Sequence, residues 1–307
     1  MNLIKYRKLF LAIFIVAVIF SVTAWCTKGL NYGVDFTGGT NIRFPLSQEV
    51  TSTEVNEVLA SDSLAKLNLK PTPPQPYSYV DSQGHQRYGV LVHTRFLNKE
   101  EQKMVVDALE EAFGWVSAGD GLDIYSVDPL IGEELLGNAL KALIIAGLLI
   151  LVYIAFRFEF KSGIVGLLAL IHDVLAVIGL FAIMHKEVDA TFIAAILTIL
   201  GYSINDTIVI FDRIRENLRF RKKGQTYDDL VNLSILQTMR RSLNTSVTTA
   251  LAILVLYLVG SPSIKNFCLA MLVGITVGAY SSIFVTGPLW ALWKGLEEKK
   301  RYSGKTA

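Results

Sequence analysis

Two carboxylates stand where water should be scarce. Asp206 lies about sixteen residues into an apolar run at 190–211, within "GYSINDTIVIFDRIREN" (201–217), and Asp173, beside His172, falls near the middle of another run at 163–184. A charge at such depth costs several kcal/mol, so the group faces the bundle interior, where it is partnered or takes up a proton. The chemistry open to it is therefore gain and loss of a proton. Asp173 reads equally as a structural acid bonded within its own bundle, and His172 as a packing or hydrogen-bonding group. Counting by three and four from Asp173 gives Gly166, Ala169 and Ala176, a small-residue stripe that lets another helix approach.

A cation lies at comparable depth. The apolar core from Val247 to Gly260 is too short to span, so its helix must begin near Arg240 or Arg241. Arg241, Thr245, Thr248 and Ala252 then share one face. Spacing leaves both arginines open, as counter-charges for Asp206 or as ordinary anchors at the inner rim.

The elements that position these groups are membrane helices. Hydrophobic residues make up 52% of the 307 and charged residues 18%, with the apolar positions gathered into six runs at about 9–26, 139–156, 163–184, 190–211, 242–260 and 266–292. Only helices satisfy their own backbone within hydrocarbon outside a closed barrel, and roughly 20 residues cross it. The first run, behind Lys5, Arg7 and Lys8, competes with a signal peptide; its length favours an uncleaved helix. With the N-terminus inside, inner segments hold eighteen Lys and Arg, while the two short outer loops hold only Lys186 and Lys265. Both termini are therefore expected in the cytosol.

The predicted layout is a first helix (1–26), an extracytoplasmic domain (27–138), and a five-helix bundle (139–307) with a cytosolic loop at 212–241 and a cytosolic tail. The outer stretch is acidic, with sixteen Asp or Glu against eight Lys or Arg. Strand patterns at 40–46, around 77–81 and 88–96, and at 122–128, with capped helices at 51–62 and 98–113, give the order β-α-β-β-α-β. That suggests a small ferredoxin-like α+β domain. "KPTPPQP" (70–76) reads as a loop or a Pro-rich approach to a strand. Ahead of the domain, "GVDFTGGT" (33–40) reads as a turn made by Gly33, Gly38 and Gly39 and capped by Asp35; it lacks the Lys-Ser/Thr of a phosphate loop. Gly274 and Gly278 form a GxxxG close-packing face in the sixth run. The basic first half of the inner loop suits anionic membrane lipids, with a helical second half along the inner surface.

Function classes narrow by what is missing. Cys26 and Cys268 have no partner at ligand spacing, so no metal or cofactor is expected. No HExxH, GxSxG or Walker A pattern occurs, so no catalytic residue and no enzyme activity is expected. Nothing in the pattern calls for nucleic acid.

The run 201–217, with "GVDFTGGT", "LIHDV" (170–174) and "RSLNTSVTTALAILVLYLVG" (241–260), resembles the SecD/SecF family of bacterial protein-export membrane proteins, of the resistance-nodulation-division superfamily. The likeness follows the smaller, six-helix partner type in order over nearly the whole chain. It implies pairing with SecD in the bacterial inner membrane and work with the SecYEG channel and SecA motor, with YajC and YidC as further candidates. The implied task is drawing unfolded preprotein outward at the expense of the proton-motive force. It also implies that Asp206 is the family's membrane acid and that Arg241, in R-x-L-x-T-S, is its arginine. A proton-coupled exporter of small molecules or lipids from the same superfamily is the alternative. Such exporters usually carry two large outer domains in one chain.

Overall fold

The computed structural model describes residues 2–69, 73–80, 85–114 and 122–303. The chain forms two compact units: Met1–Asn31, Lys141–Leu258 and Lys265–Ala307 in one, and Tyr32–Leu140 with Val259–Ile264 in the other.

In the first unit, α1 (Arg7–Lys28) follows a short 3₁₀ turn, and α2 (Val34–Thr37) belongs to the second unit. The helix α6 (Pro129–Arg157) starts in the second unit and ends in the first, followed by α7 (Phe160–Met184), α8 (Ala190–Arg219) and α9 (Tyr227–Val259). The sixth span is α10 (Lys265–Ser281), a π turn at Ser282–Thr286, and α11 (Gly287–Ser303). Among the described residues, six helical spans are thus long and apolar enough to cross a membrane.

Burial divides these helices. About half of the apolar windows of α7, α8 and the α10–α11 span is buried, whereas α1, α6 and α9 are mostly exposed. Close approach in the core rests on small residues: a Cβ on Gly179 of α7 would collide with Ser21 of α1, and one on Gly274 of α10 with Ile199 of α8. The GxxxG face is therefore used within this chain.

Two helices run past their expected limits. The span predicted from 139 begins ten residues earlier, at Pro129. The surface helix expected in the second half of the inner loop is continuous with the fifth span, making α9 33 residues long. Its first half is amphipathic: Leu230, Val231 and Ile235 join Leu3, Ile4, Phe211, Ile214 and Trp290 in one apolar cluster. Ion pairs tie the rim around it, Arg7 to Asp228 at 2.6 Å and Arg157 to Asp212 at 3.1 Å.

The two-residue β1 (Asn31–Tyr32) falls at the boundary of the units, and the second unit then holds β2 (Gly39–Leu46), α3 (Ser52–Leu59), α4 (Asp62–Ala65), β3 (Gln75–Val80), β4 (Gln86–Thr94), α5 (Lys99–Phe113) and β5 (Asp123–Val127). A last two-residue strand, β6 (Glu187–Val188), lies in the first unit. The sheet order is β3-β4-β2-β5, with every pair antiparallel. That is the ferredoxin-like order, reached because each βαβ crossover skips one strand and leaves room for the next. Capping boxes start both longer helices, Thr51 with Glu54 and Asn98 with Glu101. The core is Ile42, Phe44, Val90 and Val92 from the sheet against Val55, Val105 and Leu109. Of "KPTPPQP", residues 70–72 lie outside the described residues, while Gln75 and Pro76 open β3. Pro76 is tolerated because β3 is an edge strand.

Candidate functional site

Asp173 and Asp206 end up in different surroundings. Asp173, in α7, is fully buried. Its Oδ2 accepts from Ser203 Oγ of α8 at 2.6 Å and from Ser281 Oγ of α10 at 2.9 Å, and its Oδ1 lies 3.0 Å from His172 Nδ1. Three helices meet on one carboxylate, and Gly278 makes room: a Cβ there would stand 3.1 Å from Ser203 Cβ and 3.5 Å from Asp173 Oδ2. His172 stacks on Phe14 of α1, with ring centroids 4.2 Å apart.

The π turn explains how α10 serves this knot. A π turn inserts one residue into the α register and is a recurrent feature of functional sites. Ser281 and Ser282, neighbours in sequence, both stay fully buried at its start. Ser281 reaches Asp173, while Ser282 Oγ lies 2.9 Å from Thr207 Oγ1 and donates to the Ser203 carbonyl at 3.2 Å. Nothing in the apolar pattern of the sixth run marks this; the adjacent serines of "GAYSSIFVTG" are the only sequence sign.

Asp206 sits one turn beyond Ser203 on α8, 6% exposed. It borders a narrow cleft lined also by Tyr202, Ser203, Thr245, Ser246 and Ala279. Ser246 Oγ of α9 donates to its Oδ2 at 3.2 Å. The Asp206–Arg241 pair expected from the sequence is not closed as an ion pair among the described residues. Arg241 is exposed and acts on Asp206 only at longer range. The reason is helical phase: Ser242 and Ser246, four apart, face α8, which turns Arg241 to the flank. Of the face shared by Arg241, Thr245, Thr248 and Ala252, Thr245 lines the cleft beside Asp206, while the two serines next to that face make the closest approach. Hydroxyls at i and i+4 beside an intramembrane acid were the available signal.

The other flank of α8 is open. Leu197, Thr198, Gly201, Tyr202 and Asn205 line a shallow groove, and no neighbour lies within 4 Å of where a Gly201 Cβ would be.

In the second unit, the glycine turn is a clamp. Gly38 and Gly39 have φ of +69° and +130°, while Gly33 has an ordinary φ of −73°, so only the last two need glycine for conformation. A Cβ on Gly38 would collide with Pro129 and one on Gly39 with the Thr94 carbonyl; one on Gly132 would reach the Gly38 nitrogen at 2.9 Å. The turn therefore packs backbone against the first turn of α6. Asp35, expected as a turn cap, is buried near the Tyr125 phenol, whose pKa partial burial and this neighbouring carboxylate push up.

Among the described residues no group of three or more His, Cys, Asp or Glu could hold a metal.

Comparison with known proteins accords with this arrangement. Residues 114–296 match the family described as protein export membrane protein SecD/SecF, C-terminal, and residues 23–50 match the SecD/SecF GG motif. The chain is 40% identical over 289 residues to the protein translocase subunit SecF of Alicyclobacillus acidocaldarius, covering 93% of this chain and 90% of that one. It is 38% identical over 274 residues to the protein translocase subunit SecDF of Bacillus subtilis, covering 88% of this chain and 35% of that longer one. A crystal structure of SecDF from Thermus thermophilus, described as a translocon-associated membrane protein, superposes with a TM-score of 0.83 at 34% identity. The match takes in 96% of this chain and 39% of that one.

Proposed function

The chain belongs to the SecD/SecF family of protein-export membrane proteins, and from that premise we propose that it is an accessory subunit of the Sec protein translocase that uses the proton-motive force to promote preprotein export. The observation that carries the reading is Asp206, buried on a membrane-spanning helix beside a cleft and tied to α9 by one hydroxyl. An ionised carboxylate there holds Ser246 and attracts Arg241; protonation removes both attractions and lets α9 repack against α8. Each proton moving down the membrane potential supplies about 2.3 kcal/mol per 100 mV. The energy source is the ion gradient, with no cofactor and no bond chemistry.

SecD is the proposed partner within the membrane. The relatives in which both halves form one chain support this, and the open groove along α8 suits it. Gly201 permits a close helix, and Asn205 offers an amide that a facing polar group can satisfy. SecYEG, SecA, YajC and YidC are proposed as the wider assembly, unfolded preprotein as the substrate of the outer domain, and anionic lipids as partners of the basic inner loop. The proposed setting is the bacterial inner membrane with both termini cytosolic, in keeping with the Lys and Arg distribution.

The test is preprotein translocation into vesicles carrying the full complex, with and without an imposed proton gradient. Asp206→Asn is expected to abolish the gradient-dependent stimulation. Full retention would sink the proton role of Asp206. Gradient-driven efflux of small amphiphiles, without any effect on preprotein, would transfer the chain to the exporter reading.

A further inference from the structure

Along α9 the hydroxyls share one habit, with two exceptions. Ser234, Thr238, Thr245, Thr248 and Thr249 each donate to the carbonyl four residues back in their own helix, at 2.8 to 3.0 Å. Ser246 instead reaches across to Asp206 Oδ2 at 3.2 Å. Ser242, one turn earlier on the same face, is fully buried and stands beside the same carboxylate, but its Oγ falls short of a closed hydrogen bond there or anywhere else among the described residues. A buried hydroxyl left unpaired is costly and calls for an explanation.

We propose that Ser242 and Ser246 form a two-hydroxyl latch on α9 that positions Asp206 and changes partners when Asp206 takes a proton. With the carboxylate ionised, Ser246 donates to it. With a proton from the cleft on its carboxyl oxygen, Asp206 becomes a donor, and Ser242 Oγ accepts. Ser246 then turns back to the Ser242 carbonyl, as its neighbours on α9 already do, and the direct tie it makes between α8 and α9 is undone. The outer half of α9 is free to respond, since Val247, Leu251, Val255 and Leu258 are all more than half exposed at 54%, 56%, 61% and 64%. The inference rests on the reading of Asp206 as the proton-carrying acid and adds the residues that sense its state.

The other charged and titratable groups facing Asp206 are few. Tyr202 lines the cleft from α8 itself, and Arg241 acts from α9. Asp173 and His172 of α7 stand one step beyond Ser203. From α10 come only Ile275, Gly278 and Ala279, because Tyr280 turns its hydroxyl to the Phe10 carbonyl at 2.7 Å. A change of partner at Ser242 and Ser246 is therefore the local response to a proton on Asp206.

The experiment measures gradient-driven stimulation of translocation as a function of pH, in proteoliposomes holding the SecD complex and the translocase. Ser246→Ala removes a donor that favours the ionised acid, so the midpoint of the profile moves up by about one pH unit, a tenfold change in proton affinity. Ser246→Thr keeps the original midpoint. Ser242→Ala removes the acceptor of the protonated form, so the midpoint moves down and the infrared carbonyl band of protonated Asp206 shifts to the frequency of a freer acid. An alanine variant that fails to assemble is replaced by Ser→Cys, whose weaker hydrogen bond predicts the same direction. Unchanged midpoints and an unchanged infrared band in both alanine variants, with Asp206→Asn still inactive, overturn the latch alone. Full stimulation in Asp206→Asn overturns the parent reading as well. Stimulation that follows a sodium gradient and ignores pH overturns the latch as a proton device.

Discussion

The two intramembrane acids lie on adjacent helices and are surrounded in opposite ways. Asp173 is closed in by donors from its own chain, two of them serines from α8 and α10, with His172 beside it. Asp206 has one donor from a helix that is otherwise little buried, and a cleft at its side. A carboxylate whose oxygens are all engaged by well-packed helices ties those helices together. One held by a single bond to a loosely packed helix can exchange partners at small cost. The chain thus separates a fixed acid from a changeable one by the packing around each, using the same side chain.

Breaking the fixed acid should have the largest effect. Asp173→Leu leaves Ser203 and His172 buried without their acceptor, at about 1 to 3 kcal/mol for each unsatisfied group, and leaves Ser281 only the Gly278 carbonyl at 3.1 Å. Heating the purified protein in detergent should show a loss of about 3 kcal/mol or more, and translocation should fall with or without a gradient. Asp206→Asn should separate the two roles: the gradient-driven part of translocation disappears, while the same melting measurement changes by less than about 1 kcal/mol, as for one partly exchanged hydrogen bond. Equal destabilisation by the two substitutions would erase the distinction drawn above.

Gly274→Ala probes the packing that keeps the fixed side fixed. The new methyl would meet Ile199, at a cost of about 1 to 3 kcal/mol, and should lower the melting temperature without moving the pH midpoint of stimulation. The smallest effect is expected in the second unit. Burial pushes the His93 pKa below its ordinary value of 6.5, so the folded unit binds that proton less readily than the unfolded chain. A depressed histidine contributes stability that is full above the unfolded pKa and is lost as pH falls through it. Protection from hydrogen exchange at β2 and β4, taken relative to the intrinsic rate at each pH, should therefore fall modestly between about pH 7 and 5, and His93→Gln should flatten that change. His93→Gln should leave the protection of α7 and α8 unchanged.

Much of the second unit was legible because its signals are local. The Thr51–Glu54 and Asn98–Glu101 caps, the alternation at 40–46 and the strand at 122–128 each specify their own element, and the order β-α-β-β-α-β leaves few ways to pair the strands. The extent of α9 was not legible, since an amphipathic segment and an apolar span join without a break in helix propensity around Arg240 and Arg241. The direct contacts of Asp206 were not legible for a related reason. Spacing names the arginines at this depth but not the phase of their helix, which the packing of Leu230, Val231 and Ile235 sets, bringing Ser242 and Ser246 to α8.

What the sequence determined alone is that six apolar segments become membrane helices, that a separate small α+β domain stands between the first two, and that two acids lie at membrane depth. These follow from segment length, local caps and the cost of burying charge, which are properties of short stretches. Only the tertiary structure decided which acid is enclosed and which is left free to change. That choice depends on a π turn placing two consecutive serines inward, on Gly278 opening the space for Asp173, and on the phase of α9. Each is a relation between helices far apart in the chain, set by how side chains of different helices fill one interior.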